Sequence, residues 1–134
     1  MSAYTERQTQ INDADILKEC LKEKGYSEVE HHATPQNLVG YHGDKRQDTA
    51  EIIIRRKHVG SSSNDIGFKK QANGTYNAII SQFDKHKHNQ AWMDDLTKRY
   101  AEKKIRKVAS QNGMTFLKKQ TNPDGSFRLQ FVKA

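Results

Sequence analysis

The sequence predicts an α+β domain with a mostly antiparallel sheet of about six to eight strands and two helices packed on one face. Three observations lead to this prediction. Two segments have helical periodicity, several shorter segments have β-strand character, and turn residues separate them. The elements follow the order strand, helix, a block of strands, helix and hairpin. A length of 134 residues favours one domain over residues 1–134.

The first helix is expected over about residues 13–24. Asn12 is the expected N-cap, and Gly25 supplies the left-handed stop at the C-terminal end. The apolar stripe of this helix contains Ile16, Leu17, Cys20 and Leu21.

A second, longer helix is expected over about residues 90–112, with Asn89 as its cap and Gly113 at its end. Its apolar positions keep a helical repeat. They are Trp92, Met93, Leu96, Tyr100, Ala101, Ile105, Val108 and Ala109.

Short β-branched or aromatic segments bounded by turn residues indicate the strands. Asn73-Gly74 predicts a tight hairpin, and the turn over residues 122–125 predicts a second one. A Ser-rich loop is expected over residues 59–64. The strand-like segments cover residues 4–10, 26–31, 38–42, 50–56, 65–71, 75–83, 114–121 and 126–133.

Charge is distributed unevenly along this polar, foldable chain, which has a net charge of +7 and a mean hydropathy of -1.00. Residues 1–48 carry six basic and nine acidic side chains, whereas residues 84–134 carry twelve and five. A basic C-terminal part attracts nucleic acid, anionic lipid or an acidic protein surface, and the charge alone does not choose among them.

No apolar run approaches the roughly 18 residues of a membrane span, and the first ten residues lack the pattern of a signal peptide. The single cysteine excludes an internal disulfide and a Cys-rich metal site. We therefore expect a cytoplasmic location or an equivalent interior compartment.

Several short strings, spread over nearly the whole chain, carry a resemblance to a known family. They include Met1-Ser2, Thr9-Gln10-Ile11, Leu17-Lys18-Glu19-Cys20-Leu21, Gly40-Tyr41, Asp65-Ile66-Gly67-Phe68, Arg99-Tyr100-Ala101 and Asp124-Gly125-Ser126. The strings follow one another in the same order as in the conserved uncharacterised plastid and cyanobacterial reading frame thirty-five family, and the chain resembles a divergent member of that family. It departs at Ser81-Gln82-Phe83-Asp84, where the family carries a Trp. The resemblance implies an α+β fold and an accessory subunit, and it implies no catalytic residue.

The six histidines raise the question of a metal site, because His86-Lys87-His88 places two imidazoles close together in the sequence. No established ligand spacing accompanies them, so solvated histidines and no metal are expected.

Cys20 lies on the apolar stripe of the first helix, which favours a buried structural thiol over a nucleophile. No nucleophile elbow or phosphate-binding loop is present, so an enzyme is the less favoured class, with no catalytic residue and no cofactor expected.

The largest local charge feature is a basic face formed mainly by the second helix. An ordinary solvated helix surface without a binding role would also explain these basic residues. The leading hypothesis is a small non-catalytic binding module, an accessory or adaptor subunit with a protein partner in a larger assembly. The alternative is a nucleic-acid-binding protein that contacts phosphates.

The strand aromatics Phe68, Tyr76, Phe116, Phe127 and Phe131 are expected in the core rather than stacked on bases. The residues assigned to the partner- or phosphate-binding face are Arg55, Arg56, Lys57, Arg99, Lys103, Lys104, Arg106 and Lys107.

Overall fold

The computed structural model describes residues 2–133 of the chain. The chain forms two compact units, a first unit that ends at Thr97 and a second unit that begins at Lys98. Met1 and Ala134, the end points of the predicted single domain, lie outside the described residues. The single domain stays a prediction.

The first unit is built on a five-stranded antiparallel sheet with the strand order β1-β5-β4-β3-β2. The central strands form because their buried positions are rich in isoleucine, a β-branched residue that favours strands, and every residue of β5 is buried. The strands are β1 (Tyr4–Arg7), β2 (Glu30–Val39), β3 (Lys45–Ile54), β4 (Ile66–Lys70) and β5 (Tyr76–Ser81).

One core cluster of this sheet joins Leu38, Ala50, Ile53 and Ile79, with Tyr4 packed against it. Gly67 makes this packing close, because a Cβ there would lie 2.7 Å from the Cβ of Ala50. A larger residue at this position would force neighbouring strands apart.

Helix α1 (Ala14–Glu23) buries the predicted stripe, including Cys20, and Gly25 follows it at φ 105°. The expected cap Asn12 is wrong by one residue. Asp13 is the N-cap, because its carboxylate accepts the Ile16 N–H at 3.1 Å.

The three strands expected between residues 26 and 56 are two long ones, β2 and β3, joined by a turn at residues 40–44. The segment 38–42 is therefore not a separate strand. A short helix that the sequence pattern did not indicate, α2 (Arg56–Val59), begins where β3 ends. The Asn73-Gly74 hairpin is confirmed between β4 and β5, with Gly74 at φ 88°.

Helix α3 (Gln90–Gln111) begins in the first unit and ends in the second, and the predicted Asn89 cap accepts the Trp92 N–H at 3.0 Å. The second unit then forms an antiparallel hairpin of β6 (Met114–Thr121) and β7 (Phe127–Lys133). Gly113 at the predicted helix end and Gly125 in the predicted turn over residues 122–125 both have positive φ, as expected.

The α+β class, the antiparallel pairing, the seven strands and the two substantial helices are confirmed. The strands are divided between a five-stranded and a two-stranded sheet, since β6 and β7 pair only with each other. No helix within residues 2–133 has the length and apolar character needed to span a membrane.

Candidate functional site

The predicted basic residues are divided between the two units, with Arg55, Arg56 and Lys57 in the first. Arg55 is held by two carboxylates, at 2.8 Å from its Nε to Glu30 and 2.8 Å from its Nη1 to Asp65. The hydrogen bond to Glu30, joined by Asp65, raises the pKa of Arg55. The same hydrogen bond from Arg55 holds the pKa of Glu30 below its ordinary value.

Asp65 is the centre of this arrangement and is fully buried. Its carboxylate also accepts the backbone N–H of Val39 at 2.7 Å and that of Arg56 at 2.6 Å. The Asp65 carboxylate thereby connects the end of β2 to the start of α2 by hydrogen bonds to both. Arg55 consequently serves the fold as well as the surface.

A hollow of about 610 Å³ lies over this network. Arg56 is partly engaged there, because its Nη2 donates to the Tyr41 carbonyl at 3.1 Å and its guanidinium lies over the Tyr41 ring. Lys57 is exposed. The hollow is lined by Gln36, Asn37, Val39, Lys45, Arg55, Arg56, Lys57 and Asp65.

The other five predicted residues lie on α3 in the second unit. Arg106 packs on the hairpin, with its guanidinium 3.8 Å from the centre of the Phe116 ring and its Nη2 3.0 Å from Glu102. Glu102 also accepts from Lys119 of β6 at 2.5 Å. Burial works to raise the pKa of Glu102, but the hydrogen bonds and charges of Lys119 and Arg106 outweigh it and hold this pKa low.

The remaining members of the basic face also lie on α3. Arg99, Lys103 and Lys104 are half-exposed, and Lys107 is exposed. The second unit carries ten basic and two acidic side chains, a formal charge of +8, and the first unit carries thirteen and fourteen, a charge of -1. The whole positive balance of the protein therefore belongs to the second unit.

An apolar groove of about 620 Å³ lies in the second unit between α3 and the hairpin. Sequence patterns did not reveal this groove, because the aromatic residues of the last strands were expected in the core. The expectation is wrong for Phe116, which is 38% exposed, and Phe127 and Phe131 are only partly covered, whereas Phe68 and Tyr76 are buried as predicted. The groove is lined by Lys104, Ile105, Val108, Ala109, Asn112, Met114, Phe131 and Lys133.

Exposed apolar side chains are concentrated in the second unit, and three of them, Ile105, Val108 and Met114, line this groove. Six of the eight large hydrophobic residues that are exposed among residues 2–133 belong to the second unit. The sequence carries one signal of this exposure, since apolar and polar residues do not alternate strictly along β6, but that signal does not locate the groove. The six are Ile105, Val108, Met114, Phe116, Leu117 and Val132.

The histidines do not gather into a site. Within the described chain, no group of three or more His, Cys, Asp or Glu residues is placed to hold a metal ion. His58 contacts Glu28 at 2.8 Å and His32 contacts Glu30 at 2.7 Å, so each has a separate acidic neighbour. The expectation of a solvated His88 is wrong, since this side chain is only 2% exposed.

Fold and surfaces together define an α+β protein with a strongly basic C-terminal unit that presents an apolar groove. The chain belongs to the family described as a protein of unknown function, DUF1257, whose match covers residues 20–130. No curated protein and no solved structure matches the chain.

Proposed function

We propose that the protein is a non-catalytic accessory or adaptor subunit that docks a protein partner in the α3–hairpin groove of its second unit. The observation that carries the proposal is that three exposed hydrophobic side chains, Ile105, Val108 and Met114, lie together in this groove. Contiguous apolar surface of this kind marks interaction sites, whereas isolated exposed hydrophobic residues need no explanation.

The charge of the second unit indicates the chemistry of the partner. Lys104 and Lys133 line the groove, and the unit around it carries a formal charge of +8. Such a surface attracts an acidic partner and suppresses basic ones. The occupant we propose is an acidic segment of another protein with apolar residues along one side.

Aliphatic side chains favour a protein over nucleic acid. Ile105, Val108 and Met114 offer no ring on which a base could stack. The aromatic residue in the groove lining, Phe131, is half-buried and packs edge-on with Phe116, whose ring also lies under Arg106. The alternative is nucleic-acid binding through phosphate contacts, which the experiment below distinguishes from protein docking. The residues that would make these contacts are Arg99, Lys103, Lys104, Arg106 and Lys107, with Arg55, Arg56 and Lys57 extending the patch. We also propose, on the resemblance of the strings quoted above, membership of the plastid and cyanobacterial reading frame thirty-five family and an interior compartment.

The test compares affinity capture from the native host by the wild-type chain and by three single variants. Ile105→Glu and Val108→Glu place a carboxylate in the groove, and both positions are exposed on a helix, so folding should be retained. Leu117→Glu is the matched control, because Leu117 is 58% exposed in the same unit and does not line the groove. Each capture is done with and without nuclease and is read by mass spectrometry and by sequencing.

We expect one stoichiometric partner with an acidic, apolar segment, kept by Leu117→Glu and by nuclease treatment and lost with both groove variants. Recovery of nucleic acid, with the proteins lost on nuclease treatment, would establish the phosphate-binding alternative. A wild-type chain that sediments as a dimer and a Val108→Glu variant that sediments as a monomer would make the groove a contact between copies and overturn the proposal.

A further inference from the structure

The hollow over the Asp65 network is a second concave surface, and it belongs wholly to the first unit. All of its wall residues precede Lys98, so it is separate from the groove and does not depend on the proposed function. Its volume of about 610 Å³ corresponds to roughly twenty water molecules at 30 Å³ each. Sites for small molecules commonly have about 300–1,000 Å³, so the hollow has room for a small organic ligand.

Positive side chains are concentrated at this hollow, although the first unit as a whole has a formal charge of -1. The one acidic wall residue, Asp65, is fully buried, and its carboxylate is engaged by Arg55 and by two backbone N–H groups. Asp65 and Glu30 together balance the charge of Arg55. The four basic wall residues are Lys45, Arg55, Arg56 and Lys57.

Three of these four cations are uncompensated. Within residues 2–133, Lys45, Arg56 and Lys57 form no ion pair, and the two lysines are exposed. Arg56 is held in place by Tyr41, because its Nη2 donates to the Tyr41 carbonyl at 3.1 Å and its guanidinium lies 5.3 Å from the centre of the Tyr41 ring. A cation that is already ordered loses less conformational freedom when an anion binds.

The charge distribution favours a small dianion over a nucleic acid. A phosphate monoester carries a charge of about -1.5 to -2 at pH 7 and presents three acceptor oxygens, which matches a hollow with three uncompensated cations. A nucleic acid instead needs positive surface that follows its backbone. Outside the wall of the hollow, the first unit carries nine basic and thirteen acidic side chains, and this excess of negative charge repels a polyanion.

We propose that this hollow binds the phosphate monoester of a small organic molecule, such as a sugar phosphate. Lys45 and Lys57 donate to the phosphate oxygens, and the ordered guanidinium of Arg56 adds the third positive charge. The organic body occupies the rest of the hollow beside Gln36 and Val39.

Ribose 5-phosphate is the probe for this proposal. Ribose supplies the same body without the charge, and sulfate supplies a dianion without the body. Each compound is titrated into the ¹⁵N-labelled full chain in phosphate-free buffer at constant ionic strength. NMR follows the amides of residues 36–39, 45 and 55–57, which belong to the wall or adjoin it.

Three exposed lysines give matched variants that each remove one charge. Lys45→Gln and Lys57→Gln change the wall, whereas Lys70→Gln lies outside it, at the end of β4 that is distant from Asp65. Because all three side chains are exposed, the fold should be retained, and the amide spectrum of each variant checks this.

Ribose 5-phosphate should shift the amides around the hollow, with an affinity several-fold weaker in Lys45→Gln and Lys57→Gln and unchanged in Lys70→Gln. Ribose or sulfate binding as tightly as ribose 5-phosphate would overturn the proposal, as would equal losses in all three variants or no shift at tens of millimolar probe. A single-stranded oligonucleotide without a terminal phosphate that displaces the probe from the hollow would assign the hollow to a nucleic-acid backbone and overturn the proposal as well.

Discussion

At the scale of single residues, two buried polar side chains organise the first unit. Asp65 accepts hydrogen bonds from three residues, Val39, Arg55 and Arg56. Sequence reasoning could place Asp65 at a strand start but could not find its partners, because they are 9 to 26 residues distant. The basic run of residues 55–57 was noticed for its charge, and its internal role became visible only in the fold.

Asp65→Asn should destabilise the protein by about 3 kcal/mol, because it removes the charge while Arg55 and two backbone donors remain. Chemical denaturation followed by circular dichroism measures the loss. Glu30→Gln is the matched control on the same arginine. The Glu30 side chain is 38% exposed, so its loss should stay below about 1 kcal/mol. Equal losses for the two variants would contradict the central role of Asp65.

The stability of the protein should fall as the pH is lowered from about 7.5 to 5.5. Burial lowers the pKa of His88 in the folded state, so the unfolded chain binds more protons once the pH drops below the ordinary value of about 6.5. The stabilisation is present above that value and is lost below it, until the folded-state pKa is reached.

Thermal unfolding across this pH range checks the direction of the effect. His88→Phe should show a smaller fall, whereas His86→Gln should keep the wild-type fall because His86 is exposed. A wild-type profile that is unchanged in His88→Phe would contradict the assignment to His88.

At the scale of elements, the two longer helices, α1 and α3, and the tight hairpins were predictable because local chemistry determines them. The α3 cap, the Asn-Gly turn and the Gly25 stop all act within a few residues. The long β2–β3 pair was not predictable, because its register contains irregularities between His31 and Gln36 and between Asn37 and Val39. Such irregularities break the period-2 pattern on which a strand prediction depends.

Asp13→Ala should destabilise the protein by about 1 kcal/mol, since the N–H of Ile16 loses its acceptor at the start of α1. Asp13→Asn should restore most of the stability, because Asn caps a helix about as well as Asp. Urea denaturation of the three proteins gives the comparison. A full loss in Asp13→Asn would show that the cap is not the source of the effect.

At the scale of the whole molecule, charge and exposed apolar surface are both concentrated in the second unit. The chain-level charge asymmetry was predictable from the sequence, whereas the groove was not, because helical and strand patterns do not reveal which apolar face stays uncovered. An isolated two-stranded hairpin is marginally stable. In this unit Arg106 and Glu102 of α3 connect to Phe116 and Lys119 of β6 and support the hairpin.

The central claim is that the groove of the second unit holds an acidic protein segment. The most direct measurement places a photo-crosslinking amino acid at position 108, inside the groove, or at position 117, outside it, and irradiates the native host before nuclease treatment. We predict one protein crosslinked from position 108 through a segment rich in Asp, Glu and apolar residues, with little product from position 117. Equal protein yields from both positions, or crosslinks to nucleic acid alone, would contradict the claim.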